Sequence, residues 1–281
     1  MNFSFIPIEI YNELIKFNMD NLTEIRLRVG YPILINCIGV ENLLEIKSVL
    51  ITEKHIQFII DAVTERSIYA FNNCIKQGFL TTKDGIRIGL AGECTFDNNE
   101  IVTIKNFTSL NIRIPHLIKN CSNDIIQYVL SKKVVNNTLI LSPPGKGKTT
   151  LLKDIIIKLN NFNCGQVLVI DERNEFSLIS GKNIDRIVYS NKFFAFNYAL
   201  RSLSPDIVVT DELCDKKDWE LIRVAVNSGV KVIATCHAKN INELINKPYF
   251  EANLFDRYVF LKSNGKPGML DCVYDKELLK I

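Results

Sequence analysis

The sequence predicts an α/β protein. Its C-terminal part reads as a mostly parallel sheet with helices on both faces, preceded by a smaller mixed α/β domain. Three observations carry this. From Thr138 onward, short apolar runs alternate with helical patterns. The first run, Thr138–Leu141, enters Ser142-Pro143-Pro144-Gly145-Lys146-Gly147-Lys148-Thr149-Thr150 and then a helical pattern over residues 151–159. Before residue 120, runs alternate charged and apolar residues instead, as half-buried strands do. The expected organisation is an N-terminal domain over 1–120, a connection over 121–137 and the parallel-sheet domain over 138–281.

In the first domain, Pro7 can open a helix with Ile10, Leu14 and Phe17 on one face. Glu24-Ile25-Arg26-Leu27-Arg28-Val29 follows as a strand, Gly30-Tyr31-Pro32 as a turn, and Ile33-Leu34-Ile35 as the next strand. Thr52 is a candidate N-cap for a helix with Ile56, Ile59, Ile60 and Val63 on one side. Gly78-Phe79-Leu80-Thr81, a Lys83-Asp84-Gly85 turn and residues 86–93 read as a hairpin. Residues 101–104 and 110–114 are two further strand candidates. A helix around 125–130 and the polar stretch 131–137 read as the connection. Parallel strands are expected at 138–141, 167–170, 206–210 and 230–235, and an antiparallel edge hairpin at 257–262 and 269–274.

The loop between the first parallel strand and its helix has the setting of a phosphate-binding loop. Backbone N–H groups of Pro144-Gly145-Lys146-Gly147-Lys148-Thr149-Thr150 would converge on one anion, apart from the proline, which has none. Lys148 would reach the β- and γ-phosphates of ATP, and the Thr149 hydroxyl would take a position on Mg²⁺. Ser142 stands where the motif GxxxxGK[ST] has glycine. If that position needs positive φ, the strain is about 1–2 kcal/mol.

Two apolar strands end in Asp-Glu, at Asp171-Glu172 and Asp211-Glu212. Ligands bind at the carboxyl ends of parallel strands, so both pairs are candidates for the nucleotide side. Asp211 is assigned to the metal and Glu212 to the attacking water, with Glu172 in a second acidic box. One strand between loop and acidic pair in sequence is the mark of a RecA-like arrangement. The next strand ends in Thr235-Cys236-His237, where a γ-phosphate sensor would sit. Against these readings stands the plain alternative of solvated strand-end carboxylates and a structural histidine. His55, His116 and Trp219 are read as structural.

The 281-residue chain carries a net charge of +3, too weak to imply a nucleic-acid partner. Eight cysteines without a CxxC pair argue against zinc or thioredoxin-like chemistry and fit a reducing compartment. The N-terminus lacks the pattern of a signal peptide, and no apolar run approaches the ~20 residues of a membrane span. A cytoplasmic protein is expected.

Residues 142–154, 169–175, 200–212 and 233–237, together with 24–32, 78–81, 87–93 and 110–115, resemble the stage III sporulation protein AA family along nearly the whole chain. That family is similar to the ATPases of type II and type IV secretion and of pilus retraction. The resemblance implies ATP hydrolysis by a homo-oligomeric ring, expected as a hexamer. It implies membrane-embedded sporulation channel proteins as partners, on the mother-cell side. In its terms Asp171-Glu172 matches an aspartate box and His237 a histidine box. Arg87 and Arg113 match strand arginines that approach the nucleotide phosphates. Lys146, the short segment between Arg173 and Arg201, and Leu213-Cys214-Asp215 depart from the family pattern. Two other functions compete: a RecA-like nucleic-acid motor, and a nucleotide-binding assembly subunit with little turnover.

Overall fold

The computed structural model describes residues 2–97, 100–188 and 192–281. They form two compact units that divide between His116 and Leu117. The first contains α1 (Ile8–Leu14), β1 (Leu22–Arg28), β2 (Pro32–Cys37), β3 (Leu44–Leu50), α2 (Glu53–Val63), α3 (Asn72–Lys76), β4 (Phe79–Thr81), β5 (Arg87–Asp97) and β6 (Glu100–Arg113). The second contains α4 (Asn123–Val129), β7 (Leu130–Ser131), β8 (Val134–Val135), β9 (Thr138–Leu141), α5 (Lys148–Asn161), β10 (Val167–Asp171), β11 (Ile184–Val188), α6 (Lys192–Ser202), β12 (Ile207–Thr210), α7 (Lys216–Asn227), β13 (Lys231–Cys236), α8 (Ile241–Ile245), β14 (Arg257–Leu261) and β15 (Leu270–Asp275).

The first unit is an antiparallel sheet in the order β3-β2-β1-β6-β5-β4. Alternation puts Ile25, Leu27, Ile33, Ile35, Ile88 and Ile112 in one core with Ile10 and Leu14 of α1 and Ile56, Ile59 and Ile60 of α2. Thr52 caps α2 as expected: its hydroxyl accepts the His55 N–H, and His55 Nδ1 accepts the Thr52 N–H, both at 3.3 Å. His116 Nε2 lies 2.8 Å from the Leu22 carbonyl, the structural role expected of it. The candidates at 101–104 and 110–114 are one strand, β6, which stays paired with β5 through two register shifts.

The second unit is a seven-stranded sheet in the order β11-β10-β12-β13-β9-β14-β15. All neighbours are parallel except β14 and β15, the expected edge hairpin. Every residue of β9, β10 and β12 is buried, because helices cover both faces. Leu139, Leu141 and Val208 share one core with Trp219, while Ile140, Val169 and Val209 share the other with Leu151 and Ile155 of α5. The stretch 121–137, expected as a connection, packs into this unit. Ile125, Val129 and Val135 join the core beneath α5. Buried Asp154 of α5 accepts the N–H groups of Asn120 (2.8 Å) and Ser122 (2.9 Å), the Ser122 hydroxyl (2.6 Å), and the Lys158 ammonium (3.1 Å).

Candidate nucleotide-binding site

The loop from β9 to α5 is built for an anion. Gly147 caps α5 with φ +85°, and no side chain caps the helix, so its first N–H groups face the loop. Gly145 has φ +72°, and a Cβ there would meet nothing within 4 Å. It and Pro144 form the exposed rim. Ser142 is not among the described residues with left-handed φ, so the strain expected from losing glycine is absent. It is fully buried, and its hydroxyl donates to the Pro143 carbonyl at 2.9 Å.

Lys148 is buried, and its ammonium donates to the carbonyls of Ser142 (3.0 Å) and Pro143 (3.1 Å) and to His237 Nδ1 (2.9 Å). Burial holds this ammonium below its usual range, while the charges of Asp211 and Glu212 pull it up. An ammonium only donates, so His237 Nδ1 is the acceptor and its proton sits on Nε2. Nε2 lies 3.4 Å from Glu212 Oε1. His237 therefore joins the loop lysine to the strand-end glutamate.

The Thr149 hydroxyl donates to Asp211 Oδ2 at 2.6 Å. Asp211 Oδ1 accepts the Glu212 N–H at 3.0 Å and the Thr235 hydroxyl. Glu212 has φ +50°, a left-handed conformation, and its carboxylate meets the Arg173 guanidinium at 2.9 Å. Among the described residues no cluster of three or more His, Cys, Asp or Glu could hold a metal. Thr149 and Asp211 do fit Mg²⁺, which takes one or two protein oxygens and completes its shell with phosphate and water.

The two acidic pairs are placed differently. Asp171 accepts the N–H groups of Glu175 (2.8 Å) and Phe176 (3.0 Å) and meets Arg186 at 3.4 Å, so it fixes the turn after β10. Glu172 pairs with Lys192 at 3.3 Å. Lys192 also donates to the Glu212 carbonyl at 2.5 Å and meets Asp218 at 3.3 Å. The chain thus brings Lys148, Thr149, Asp211, Glu212 and His237 together and leaves Glu172 one residue removed. Lys146 and Thr150 serve through their carbonyls: Lys146 accepts the Gly268 N–H at 2.9 Å, and Thr150 takes the Cys121 thiol at 3.7 Å.

Arg87 and Arg113 lie in the first unit, directly opposite each other on β5 and β6. Arg113 also faces Glu24 on β1, and the Arg87 guanidinium stacks 3.9 Å from the Phe79 ring centroid.

Sequence reasoning missed Arg173, Glu175, Lys153 and Lys192. Burial, then Asp211, raises the Glu175 carboxyl above its usual range. Burial lowers Lys153 despite Glu175, Asp171 and Asp211. One signal was available: Lys153-Asp154 sits inside Leu151-Leu152 and Ile155-Ile156, so those charges had to be buried with partners.

Residues 8–281 match the family described as sporulation stage III, protein AA. The chain belongs to that family. It is 28% identical over 273 residues to the stage III sporulation protein AA of Bacillus subtilis strain 168, covering 91% of this chain and 87% of that one. A shorter match, 31% over 114 residues, links it to the type IV pilus retractation ATPase PilT of Pseudomonas aeruginosa, over 39% of this chain and 33% of that one. Among solved structures, the Legionella pneumophila ATPase DotB is similar with a TM-score of 0.63 and 16% identity, covering 100% of this chain and 80% of that one. The pilus retraction motor PilT with bound ADP gives 0.65 and 15%, covering 92% and 78%. The family member thus has the fold of secretion and pilus-retraction ATPases. Among the described residues no helix is long and apolar enough to cross a membrane.

Proposed function

We propose that this family member is a Mg²⁺-dependent ATPase that works as a ring, expected as a hexamer, on membrane-embedded channel proteins of the sporulating cell. The observation that carries the chemistry is the 2.6 Å bond from Thr149 to Asp211, at the mouth of a loop whose lysine already touches His237. Membership of the sporulation family and the fold shared with secretion ATPases support the motor reading.

ATP is the substrate. The loop N–H groups and the α5 terminus bind its phosphates, and Lys148 exchanges the Ser142 and Pro143 carbonyls for phosphate oxygens. Thr149 and Asp211 would hold Mg²⁺, which would supply neutralisation of the phosphate charge. Glu212 orients a water and takes its proton as the water oxygen bonds to phosphorus and the bond to ADP breaks. Before that, Glu212 must leave Arg173 or turn from it, since that ion pair occupies one carboxylate oxygen. His237 signals phosphate arrival, because the Lys148 ammonium that it accepts from at Nδ1 is the group that turns from the two carbonyls to the phosphate. Glu172 acts through Lys192 on the Glu212 backbone. Arg87 and Arg113 supply positive charge to the transferred phosphoryl group. The test is steady-state ATPase activity of the full chain, with light scattering in ATP and Mg²⁺. Tight ATP binding without turnover, in a monomer, would leave only a nucleotide-binding subunit.

A further inference from the structure

The tip of the C-terminal hairpin stands against the phosphate loop. Its Gly268 N–H donates to the Lys146 carbonyl at 2.9 Å. A Cβ on Gly147 would meet Gly268 N at 3.1 Å and Pro267 Cβ at 3.3 Å, so the two backbones touch through glycine. Gly265 and Gly268, at φ +92° and +86°, shape the tip. Beside them Asn264 and Lys266 are exposed, and among the described residues neither side chain has a hydrogen-bond or ion-pair partner.

The position of this loop follows from the sheet order. β9 has β13 on one side and β14 on the other, and β14 runs parallel to it. The loop after β14 therefore emerges at the same end as the phosphate loop. Asp211, Glu212 and His237 follow β12 and β13, all on the β13 side of β9. From β9 the chain crosses toward β10 on that side, whereas β14 and β15 lie on the other. The hairpin loop thus flanks the phosphate loop on the side away from those residues. A nucleotide whose γ-phosphate faces Glu212 and His237 must extend its other end away from them, toward β14.

We infer that the hairpin loop, residues 262–269, is the wall for the nucleoside end of the bound nucleotide, with Asn264 and Lys266 supplying its polar contacts. This rests on the phosphate-loop reading above. The loop carries amide and ammonium groups suited to a ribose hydroxyl and to the acceptor nitrogens of a purine ring. Its docking on Lys146 and Gly147 fixes it relative to the phosphates.

The experiment titrates the full chain calorimetrically, in Mg²⁺, with ATP and with inorganic tripolyphosphate, which lacks a nucleoside. The variants are Lys148→Ala and the double variant Asn264→Ala, Lys266→Ala, which keeps both tip glycines. The expected result is a loss of at least fivefold in ATP affinity in the double variant, with tripolyphosphate changed less than twofold. Lys148→Ala should weaken both ligands. Photolabelling with 8-azido-ATP should place the label within 262–269. An unchanged preference for ATP, or equal weakening of both ligands, combined with label elsewhere, overturns the hairpin assignment alone. No effect of Lys148→Ala on either ligand overturns the phosphate-loop reading and the hairpin with it.

Discussion

In the first unit β1 alternates buried Ile25 and Leu27 with Glu24, Arg26 and Arg28, whereas in the second every residue of β9, β10 and β12 is buried. One sheet has a core face and a charged face. The other has two core faces and no outward strand side chains in its centre. Its polar chemistry can therefore appear only at strand ends, where Asp211, Glu212 and His237 stand. The antiparallel unit spreads its charge in rows: Arg26 opposite Asn111, Arg28 opposite Ser109, and Arg113 opposite Arg87. The parallel unit concentrates it, and concentration is what makes a lysine, a histidine and a glutamate meet in series.

The sharpest way to break this contrast is Lys148→Ala. Charge stabilisation at such a site is worth several kcal/mol, so ATP affinity should fall at least ~100-fold. Arg113→Ala, on the spread-charge unit, should lower single-turnover hydrolysis with less than about a threefold change in ATP affinity. Comparable affinity losses in both variants, read by equilibrium titration, would mean that binding is not confined to the concentrated site.

Glu212→Gln should keep ATP binding and lose about 10²–10⁴ in turnover, since an amide holds a water but takes no proton. Glu172→Gln, whose carboxylate meets Lys192, should cost much less. A reversal of the two in steady-state rates would move the catalytic role to β10.

Asp154→Ala tests the second unit's interior. It strands Lys158 and the N–H groups of Asn120 and Ser122, and losing one partner of a buried pair costs about 3–5 kcal/mol. Burial works to raise the Asp154 carboxyl, but hydrogen bonds from Ser122, Asn120 and Lys158 prevail and hold it below its usual range. Its folded value lies under its unfolded one. The stabilisation is therefore present above the unfolded value, near 3.9, and disappears as pH falls through the folded value. Urea midpoints across that window should fall for the natural chain and stay flatter for Asp154→Asn. The same contacts predict that a fragment 117–281 unfolds cooperatively, while 134–281 is markedly less stable.

The smallest effect belongs to the charged face. Arg28 makes no ion pair among the described residues, so Arg28→Ala should change stability by less than ~0.5 kcal/mol. A loss several times larger in chemical denaturation would show that this face is packed, and the contrast would fail.

Most of the grouping around Lys148 was legible because its residues sit where backbone rules act. The strand-loop-helix signal found Lys148 and Thr149, and apolar runs ending in acids found Asp211. Other features left weaker marks. β11 and the aromatic start of α6 at Phe193-Phe194 carry little periodicity and no strong helix formers, and neither was read. The polar stretch before β9 looked like a connection, yet its polarity is internal wiring. Asn136 Nδ2 donates to the Tyr128 carbonyl at 2.8 Å, and Asn137 Oδ1 accepts the Val232 N–H at 2.9 Å. Composition cannot tell a polar residue that faces water from one that ties two strands. Likewise nothing in a glutamate announces the left-handed turn of Glu212, which long-range bonds impose.

Trp219, a plain packing residue, has an optical consequence. It is the sole tryptophan of the chain, it is 2% exposed, and its ring lies about 6 Å from Tyr249, Phe250 and Phe255, all in the second unit. Its indole N–H has no partner among the described residues, so its emission should be blue and sensitive to the first water that enters. Fluorescence then watches one unit while far-ultraviolet dichroism watches both. Two melting curves from one sample, coincident or apart, would say whether the units melt together.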